Sequence, residues 1–310
     1  MPPADLNLLP LPALFVELAG PDRLKQFLTL VREEDLGPDA LDVTSLLAVG
    51  EHERLRTEIR AREPGVVAGL AALGPIVEVF EADVRVDLLV ADGDRVERGR
   101  AVATIDGNAR DLLAIERPVL NLLGRLSGVA TRTAAFVESI GEGWPAKLYD
   151  TRKTTPGLRH LEKYAVRCGG GCCHRLGLHD AVLVKDNHIA AMTGATWVER
   201  LGNMASEARS RFGDRLRFIQ VEVDRLEQFA DLLTLDAGTI DIVLLDNMPV
   251  EQIREAVGLR DARRPGLQLE ASGGVTLETI GAVASSGVDR ISVGSLTHHA
   301  VSLDFGLDAV

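Results

Sequence analysis

Between residues 147 and 299 short apolar runs recur: AKLYDTRK, DAVLVKDNH, RFIQVEVD, DIVLLDN, LQLEASGG and DRISVGS. Between the later ones lie RLEQFADLLTL, VEQIREAVGL and TLETIGAVASSG, whose apolar residues fall at helical spacing. Alternating strand and helix implies right-handed βαβ units and hence a parallel sheet. Each run is apolar in its body and polar at its C-terminal end: Arg152 and Lys153, Lys185 and Asp186, Glu222 and Asp224, Asp246 and Asn247, Glu270 and Ser272, Gly294 and Ser295. In α/β barrels the active site lies at the C-terminal mouth, so these ends are expected to face one place. Six runs fall short of the eight of a full barrel, so an open or incomplete barrel is expected. A doubly wound sheet uses the same local units and stays open as an alternative.

The chain before residue 126 follows another pattern. PDRLKQFLTLVREEDLG places Leu24, Phe27, Leu28 and Val31 on one helical face and closes with a glycine. LRTEIRAREPGVVAG and VRVDLLVADGDRVERGRAVATIDG alternate apolar and polar residues between Asp-Gly and Arg-Gly turns, as short strands of a compact β-rich unit do. ARDLLAIERPVLNLLGRLSG then reads as a helix. DGDRVERGRAVATIDG also resembles the hammerhead turns of biotinyl and lipoyl carrier domains, but no lysine sits where a hairpin tip would hold the cofactor. The expected division is a first domain over 1–126 and a second, site-bearing domain over 127–299, with the tail 300–310 free to pack on the first.

Charge narrows the function. The formal net charge is −12 and the pI near 5.1. Nucleic acids and anionic membranes call for an extended basic surface, so neither is an expected partner. No stretch approaches the roughly 18 apolar residues of a membrane span, and Asp5 with four prolines interrupts the N-terminal apolar residues. A soluble, cytoplasmic protein is expected. Cys168, Cys172 and Cys173 make an odd, clustered set, which suits a reducing compartment. Zinc is disfavoured at these residues and His174, because adjacent cysteines seldom both ligate and no second Cys or His pair follows; thiols packed as small hydrophobes are the expectation.

Against the acidic whole, residues 147–185 carry eight Lys or Arg and only three Asp or Glu. Arg159, Lys163 and Arg167 recur at helical spacing and read as a solvated basic face. Arg152, Lys153, Arg175 and Lys185 follow strands or glycines, where charge has no structural reason to stand. Guanidinium forks suit carboxylates or phosphates and ammonium groups suit phosphates, so a substrate with several negative charges is implied. GGGCCHR offers backbone N–H groups or merely a tight turn before His174 and Arg175. ASGGV and SVGS close the last two strands with small residues, the usual place of a phosphate site, which nominates Ser272, Gly273, Gly274, Gly294 and Ser295. Glu222 and Asp246 end the two middle strands. They are candidates for ion pairing, for sugar hydroxyls, or for Mg²⁺, which prefers one or two carboxylates plus substrate phosphates.

Taken in order, EDLGPDALDVTS, ERPVLNLLGRLSGVAT, DTRKTTPGLR, KYAVRCGGGCCHRLGLHDA, KDNHI, EVE, LLDN, SGG, VGSLTH and DFGLD resemble quinolinate phosphoribosyltransferase, over nearly the whole chain. The resemblance implies an N-terminal α/β sandwich, hammerhead-like, followed by an incomplete seven-stranded α/β barrel. It implies a Mg²⁺-dependent reaction of quinolinate with phosphoribosyl pyrophosphate that yields nicotinate mononucleotide, pyrophosphate and carbon dioxide in NAD synthesis. Carried onto this sequence, Arg152, His174 and Arg175 resemble clamps for the quinolinate carboxylates, with Thr151 beside them. Lys153 and Lys185 fall beside the diphosphate and the reacting ring. Glu222 and Asp246 would serve ribose hydroxyls and magnesium. Residues 272–274 and Val293, Gly294 and Ser295 would hold the 5′-phosphate, with His298 ending that loop. Arg117, in the ER motif, would reach the active site of a neighbouring subunit, which makes a homodimer the expected unit and a hexamer a further possibility.

Two departures from the family pattern stand out. Cys173 occupies a position that is commonly asparagine or another small polar residue, and PDAL extends the loop before DVTS. The alternatives are a paralogue of similar fold acting on another aromatic acid, a molybdenum-transport-associated homologue, or a non-catalytic anion- or metal-binding protein. Acids beside the phosphate loops speak against the last, since simple anion capture gains nothing from them.

Overall fold

The computed structural model describes residues 5–192 and 197–310, which fall into two compact units. One comprises Asn7–Ala134, Thr154–Gly170 and Ser295–Val310; the other comprises Ala135–Lys153 and Gly171–Gly294, with Asp5 and Leu6.

The first unit opens with helices α1 (Leu11–Ala19), α2 (Pro21–Leu36) and α3 (Val43–Ala48). A proline starts each of the first two, where the missing N–H costs no helical bond. Asp42 caps α3, accepting from the N–H groups of Thr44 and Ser45 at 3.0 Å each. Strands β1 (Arg54–Ala61), β2 (Gly65–Val66), β3 (Val84–Leu88), β4 (Arg95–Val96) and β5 (Ala101–Asn108) follow, with α4 (Leu73–Phe80) between β2 and β3. Helix α5 (Ala109–Ile140) carries the chain into the second unit; α6 (Arg159–Cys168), α12 (Ser295–His298) and β12 (Phe305–Ala309) return to the first. The sheet order is β12-β1-β5-β3, all antiparallel, with β2 and β4 paired separately. Burial alternates along β1, with Thr57, Ile59 and Ala61 inward, as a sheet with one covered face requires. The turn resembling a carrier hairpin is tied into this unit. Asp92 accepts from the N–H groups of Leu70 and Ala71 at 2.9 and 3.2 Å and from the Tyr164 hydroxyl at 2.8 Å.

The second unit is a parallel sheet of β6 (Lys147–Tyr149), β7 (Val182–Val184), β8 (Ile219–Val223), β9 (Ile242–Asp246), β10 (Gln268–Ser272) and β11 (Arg290–Ser292). Helices α7 (Asp186–Ala190), α8 (Trp197–Phe212), α9 (Leu226–Leu232), α10 (Val250–Arg263) and α11 (Ile280–Ala284) connect them. The spatial order is β6-β11-β10-β9-β8-β7, so β6 and β7 are its edges. A parallel bridge between Tyr149 and Cys172 adds one further position beside β6. It brings the segment after the triple glycine alongside the strand that ends in Asp150. All six runs recognised in the sequence are strands of this sheet.

Two expectations need correction. The helix at 159–168 is not a solvated basic face: Glu162 and Lys163 are fully buried, and Arg167 is half-buried, donating to the carbonyls of Asn7 and Leu9 at 3.2 and 3.4 Å. Helical spacing of cations gave no sign that the opposite turn carried a buried acid. Glu270, grouped with the strand ends, instead lies in the middle of β10 and is fully buried beside Arg290 of β11.

Candidate active site

Strand ends of the second unit gather the cations. Arg152 and Lys153 follow β6, Arg175 follows the bridged segment, and Lys185 follows β7. Lys153 is exposed and its N–H donates to Thr151 Oγ1 at 3.1 Å, closing the turn in which Arg152 stands half-buried. Arg175 is 7% exposed. Burial, foremost, and the charge of Arg152 push its guanidinium below the usual arginine range, while Asp180 and Glu222 pull the other way. Asp180 also anchors the loop, accepting from the N–H groups of Leu176 and Gly177 at 2.7 and 2.9 Å, and pairing with Arg217 at 3.2 Å. Like charges in one strand-end cluster, one of them buried, favour a polyanion.

The acids sit on the neighbouring strands. Glu222, in β8, takes Lys185 Nζ at 2.6 Å. Asp246 ends β9 and accepts from Asn247 Nδ2 at 2.8 Å. Asn247 adopts a left-handed backbone (φ 55°) and donates its N–H to the Ser272 carbonyl at 2.8 Å. Gly273 (φ 95°) packs directly on it: a Cβ there would collide with the Asn247 amide, so only glycine fits. Asp246 and the glycine turn after β10 are therefore one built element. Val293 donates its N–H to the Tyr149 carbonyl at 3.0 Å, which fixes the start of the turn at Gly294.

His174 is held from within the same unit. It is 6% exposed, its N–H donates to Asp150 Oδ1 at 2.8 Å, and its Nδ1 accepts from the Arg175 N–H at 2.8 Å. Its Nε2 faces Glu270 Oε1 at 3.2 Å. Nδ1 is thus engaged by the backbone, and Nε2 stands beside a buried carboxylate.

Arg117, Ser295 and His298 belong to the other unit. Arg117 lies on α5 with its side chain 63% exposed and within 2.7 Å of Glu116. His298 is exposed at the end of α12. The turn opened by Ser295 is held by arginines of the same unit. Arg132 donates to the Ser295 carbonyl at 2.7 Å and to its hydroxyl at 3.2 Å; Arg125 donates to the carbonyls of Thr297 and Ala300, each at 2.8 Å.

Comparison with known proteins bears on these features together. Residues 42–127 match the N-terminal domain model of quinolinate phosphoribosyl transferase, and residues 129–308 match its C-terminal domain model. The chain belongs to the quinolinate phosphoribosyl transferase family. Its sequence is 44% identical over 270 residues to the carboxylating nicotinate-nucleotide pyrophosphorylase of Mycobacterium leprae, covering 86% of this chain and 91% of that one. A probable enzyme of the same name from Bacillus subtilis is 40% identical over 286 residues, covering 92% and 93%. The structure of the nicotinate-nucleotide pyrophosphorylase from Francisella tularensis superposes with a TM-score of 0.83 at 31% identity, covering 99% of this chain and 100% of that one.

The donor set of this quinolinate phosphoribosyl transferase family member is compatible with the expected magnesium. Among the described residues no group of three or more His, Cys, Asp or Glu gathers. Glu222 and Asp246 supply two carboxylates on adjacent strands, which suits an ion that keeps water and takes substrate phosphates as ligands. Cys168, Cys172 and Cys173 form no disulfide; Cys168 and Cys173 are buried, and burial raises the Cys168 thiol well above its ordinary range. No helix among the described residues is long and apolar enough to cross a membrane. Sequence reasoning missed Asp150, which holds His174, Asp180, which holds the loop after Arg175, and Arg290, which holds Glu270, and it named Asn247 only as a strand end. Only the Asp-Asn pair at the end of β9 carried a visible signal, as a left-handed turn former.

Proposed function

We infer that this chain joins quinolinate to the ribosyl carbon of phosphoribosyl pyrophosphate and releases pyrophosphate and carbon dioxide, giving nicotinate mononucleotide for de novo NAD synthesis in the cytoplasm. The observation that carries the reading is the Arg152–Arg175 pair: two like charges at one strand-end cluster, matched to a planar substrate with two adjacent carboxylates. Arg152 and Arg175 are assigned to those carboxylates, with Thr151 shaping the turn and His174 supporting Arg175 from behind. Lys185 lies beside the reacting ring and Lys153 beside the leaving diphosphate. Residues 272–274, Val293, Gly294 and Ser295 take the 5′-phosphate, with His298 near the end of that segment. Arg117, exposed on its own subunit, completes the site of a partner in a homodimer.

These residues are assigned the following parts in the reaction. Loss of pyrophosphate leaves positive charge on the ribose, and the carboxylates of Glu222 and Asp246 stabilise it while orienting the hydroxyls. Their hydrogen bonds with Lys185 and Asn247 hold both carboxylates in place before substrate arrives. When bound at Glu222 and Asp246, Mg²⁺ would neutralise charge on the diphosphate. Attack by the pyridine nitrogen makes the ring cationic, and that charge stabilises the electron pair left at the adjacent carbon as carbon dioxide departs; a proton from solvent then takes up that pair as the new C–H bond. Arg152 and Arg175 hold the two carboxylates in the geometry this step needs, so no covalent nucleophile is required, and the cysteines have no part in it.

The test supplies quinolinate, phosphoribosyl pyrophosphate and Mg²⁺, with nicotinate and a no-magnesium sample as comparators. Nicotinate mononucleotide with matching carbon dioxide release, from quinolinate only, is expected. Equal product from nicotinate, or none from folded protein, would move the chain to a paralogue acting on another anion.

A further inference from the structure

The interior of an α/β barrel is ordinarily filled by Val, Ile and Leu. Here β10 and β11 place Glu270 directly opposite Arg290 in register, 0% and 7% exposed, with Arg290 Nε donating to Glu270 Oε2 at 2.8 Å. The Arg290 guanidinium stacks 3.6 Å from the centre of the Tyr149 ring. A buried ion pair is seldom more stable than an apolar pair of the same volume, so its presence in a core asks for another reason.

That reason stands at the other carboxylate oxygen. Glu270 Oε1 faces His174 Nε2 at 3.2 Å, and the ring is boxed edge-on by Tyr149 and Phe218 at 6.3 and 5.1 Å between centroids. On the far side of the ring, Nδ1 accepts the Arg175 N–H at 2.8 Å. A backbone N–H can only donate, so Nδ1 carries no proton and the ring proton sits on Nε2, the nitrogen 3.2 Å from the carboxylate. Resting on the reading of Arg175 as a quinolinate ligand, we propose that Glu270 and Arg290 are positioning residues for quinolinate binding, acting through His174. Arg290 fixes the Glu270 carboxylate, Glu270 selects the Nε2–H tautomer of His174, and the bare Nδ1 holds the backbone from which Arg175 projects.

Glu270→Gln makes the chain of dependence visible. An amide that turns its oxygen to His174 sets its NH₂ against Arg290, while the opposite orientation sets NH₂ against Nε2 and drives the ring proton to Nδ1, opposing the Arg175 N–H. Either way one donor faces another. Glu270→Gln, the volume-conserving double variant Glu270→Leu/Arg290→Met, and Arg175→Ala are compared with the parent. The measurements are KM for each substrate, kcat, and imidazole nitrogen NMR correlations that report which ring nitrogen is protonated, assigned with His174→Asn. In Glu270→Gln and the double variant, a shifted or lost Nε2–H signature and a rise in quinolinate KM of about tenfold are expected, with phosphoribosyl pyrophosphate KM and kcat little changed. The double variant keeps the test open where the single one fails to fold. An unaltered tautomer and quinolinate KM in both, beside a raised KM in Arg175→Ala, overturns the proposal. Should Arg175→Ala itself bind quinolinate normally, the site reading fails, and the tautomer measurement separately decides whether Glu270 holds the ring.

Discussion

Arg175 gains its place from residues that never face solvent: Asp180 ties down its loop, His174 holds its N–H, and burial leaves its charge in want of an anion. Charge-assisted hydrogen bonds contribute about 1.5–3 kcal/mol, so Arg175→Ala should raise quinolinate KM roughly ten- to a hundredfold, as steady-state kinetics at fixed phosphoribosyl pyrophosphate would reveal. Asn247 makes a different kind of contribution. Its left-handed backbone is one that glycine adopts freely, so Asn247→Gly should fold with an unchanged melting temperature yet lose the brace on Asp246. A fall in kcat/KM for phosphoribosyl pyrophosphate without loss of stability would bear this out; unchanged kinetics would remove Asn247 from the site. The charged ends of the strands could be read from sequence because an apolar strand body has no need of a terminal cation. Asp150, Asp180 and Arg290 could not. Asp150 and Arg290 act on groups far away in the chain, Asp180 on its own loop as well as on distant Arg217, and a lone acid or arginine between apolar residues has no local signature.

At the level of elements, β8, β9, β10 and β11 followed from their apolar bodies, and the helices after β8, β9 and β10 from their spacing. Helix α6 misled, because a row of cations was weighed without the acid among them. Glu162 is fully buried and accepts from Arg125 Nε and Nη2 at 3.0 and 2.6 Å, from the Thr155 N–H at 3.0 Å and from its hydroxyl at 2.8 Å. Glu162→Ala should therefore cost about 3–5 kcal/mol, seen as a lower urea midpoint, and a change below 1 kcal/mol, which is about the worth of an exposed pair, would contradict it. Strand β10 carries a pH effect. Burial alone would raise the Glu270 pKa, but His174 and Arg290 outweigh it and hold the carboxyl well below its ordinary 4.5. Below pH 4.5 the unfolded chain takes up a proton that the fold refuses, so this contribution is complete above that pH and fades as the pH falls towards the folded value. Urea midpoints between pH 3 and 6 should drop more steeply in the parent than in Glu270→Gln.

For the molecule as a whole, the net charge of −12 and the local cation excess at 147–185 describe a protein that repels polyanions except where it binds them. Mixing Arg117→Ala with Lys185→Ala subunits should restore part of the activity lost in each, through hybrid dimers with one intact site; verified heterodimers without recovery would end the shared-site proposal. The antiparallel pairing of β12 with β1 also constrains how the chain is made. A ribosome delivers β1 early and β12 only after every strand of the barrel has emerged. The sheet to which β1 belongs must wait, one edge open, while a separate unit is synthesised and folds within its sequence. Birth order and architecture are thus opposed: the segment translated first is completed last, and the cell must shield that edge in the interval.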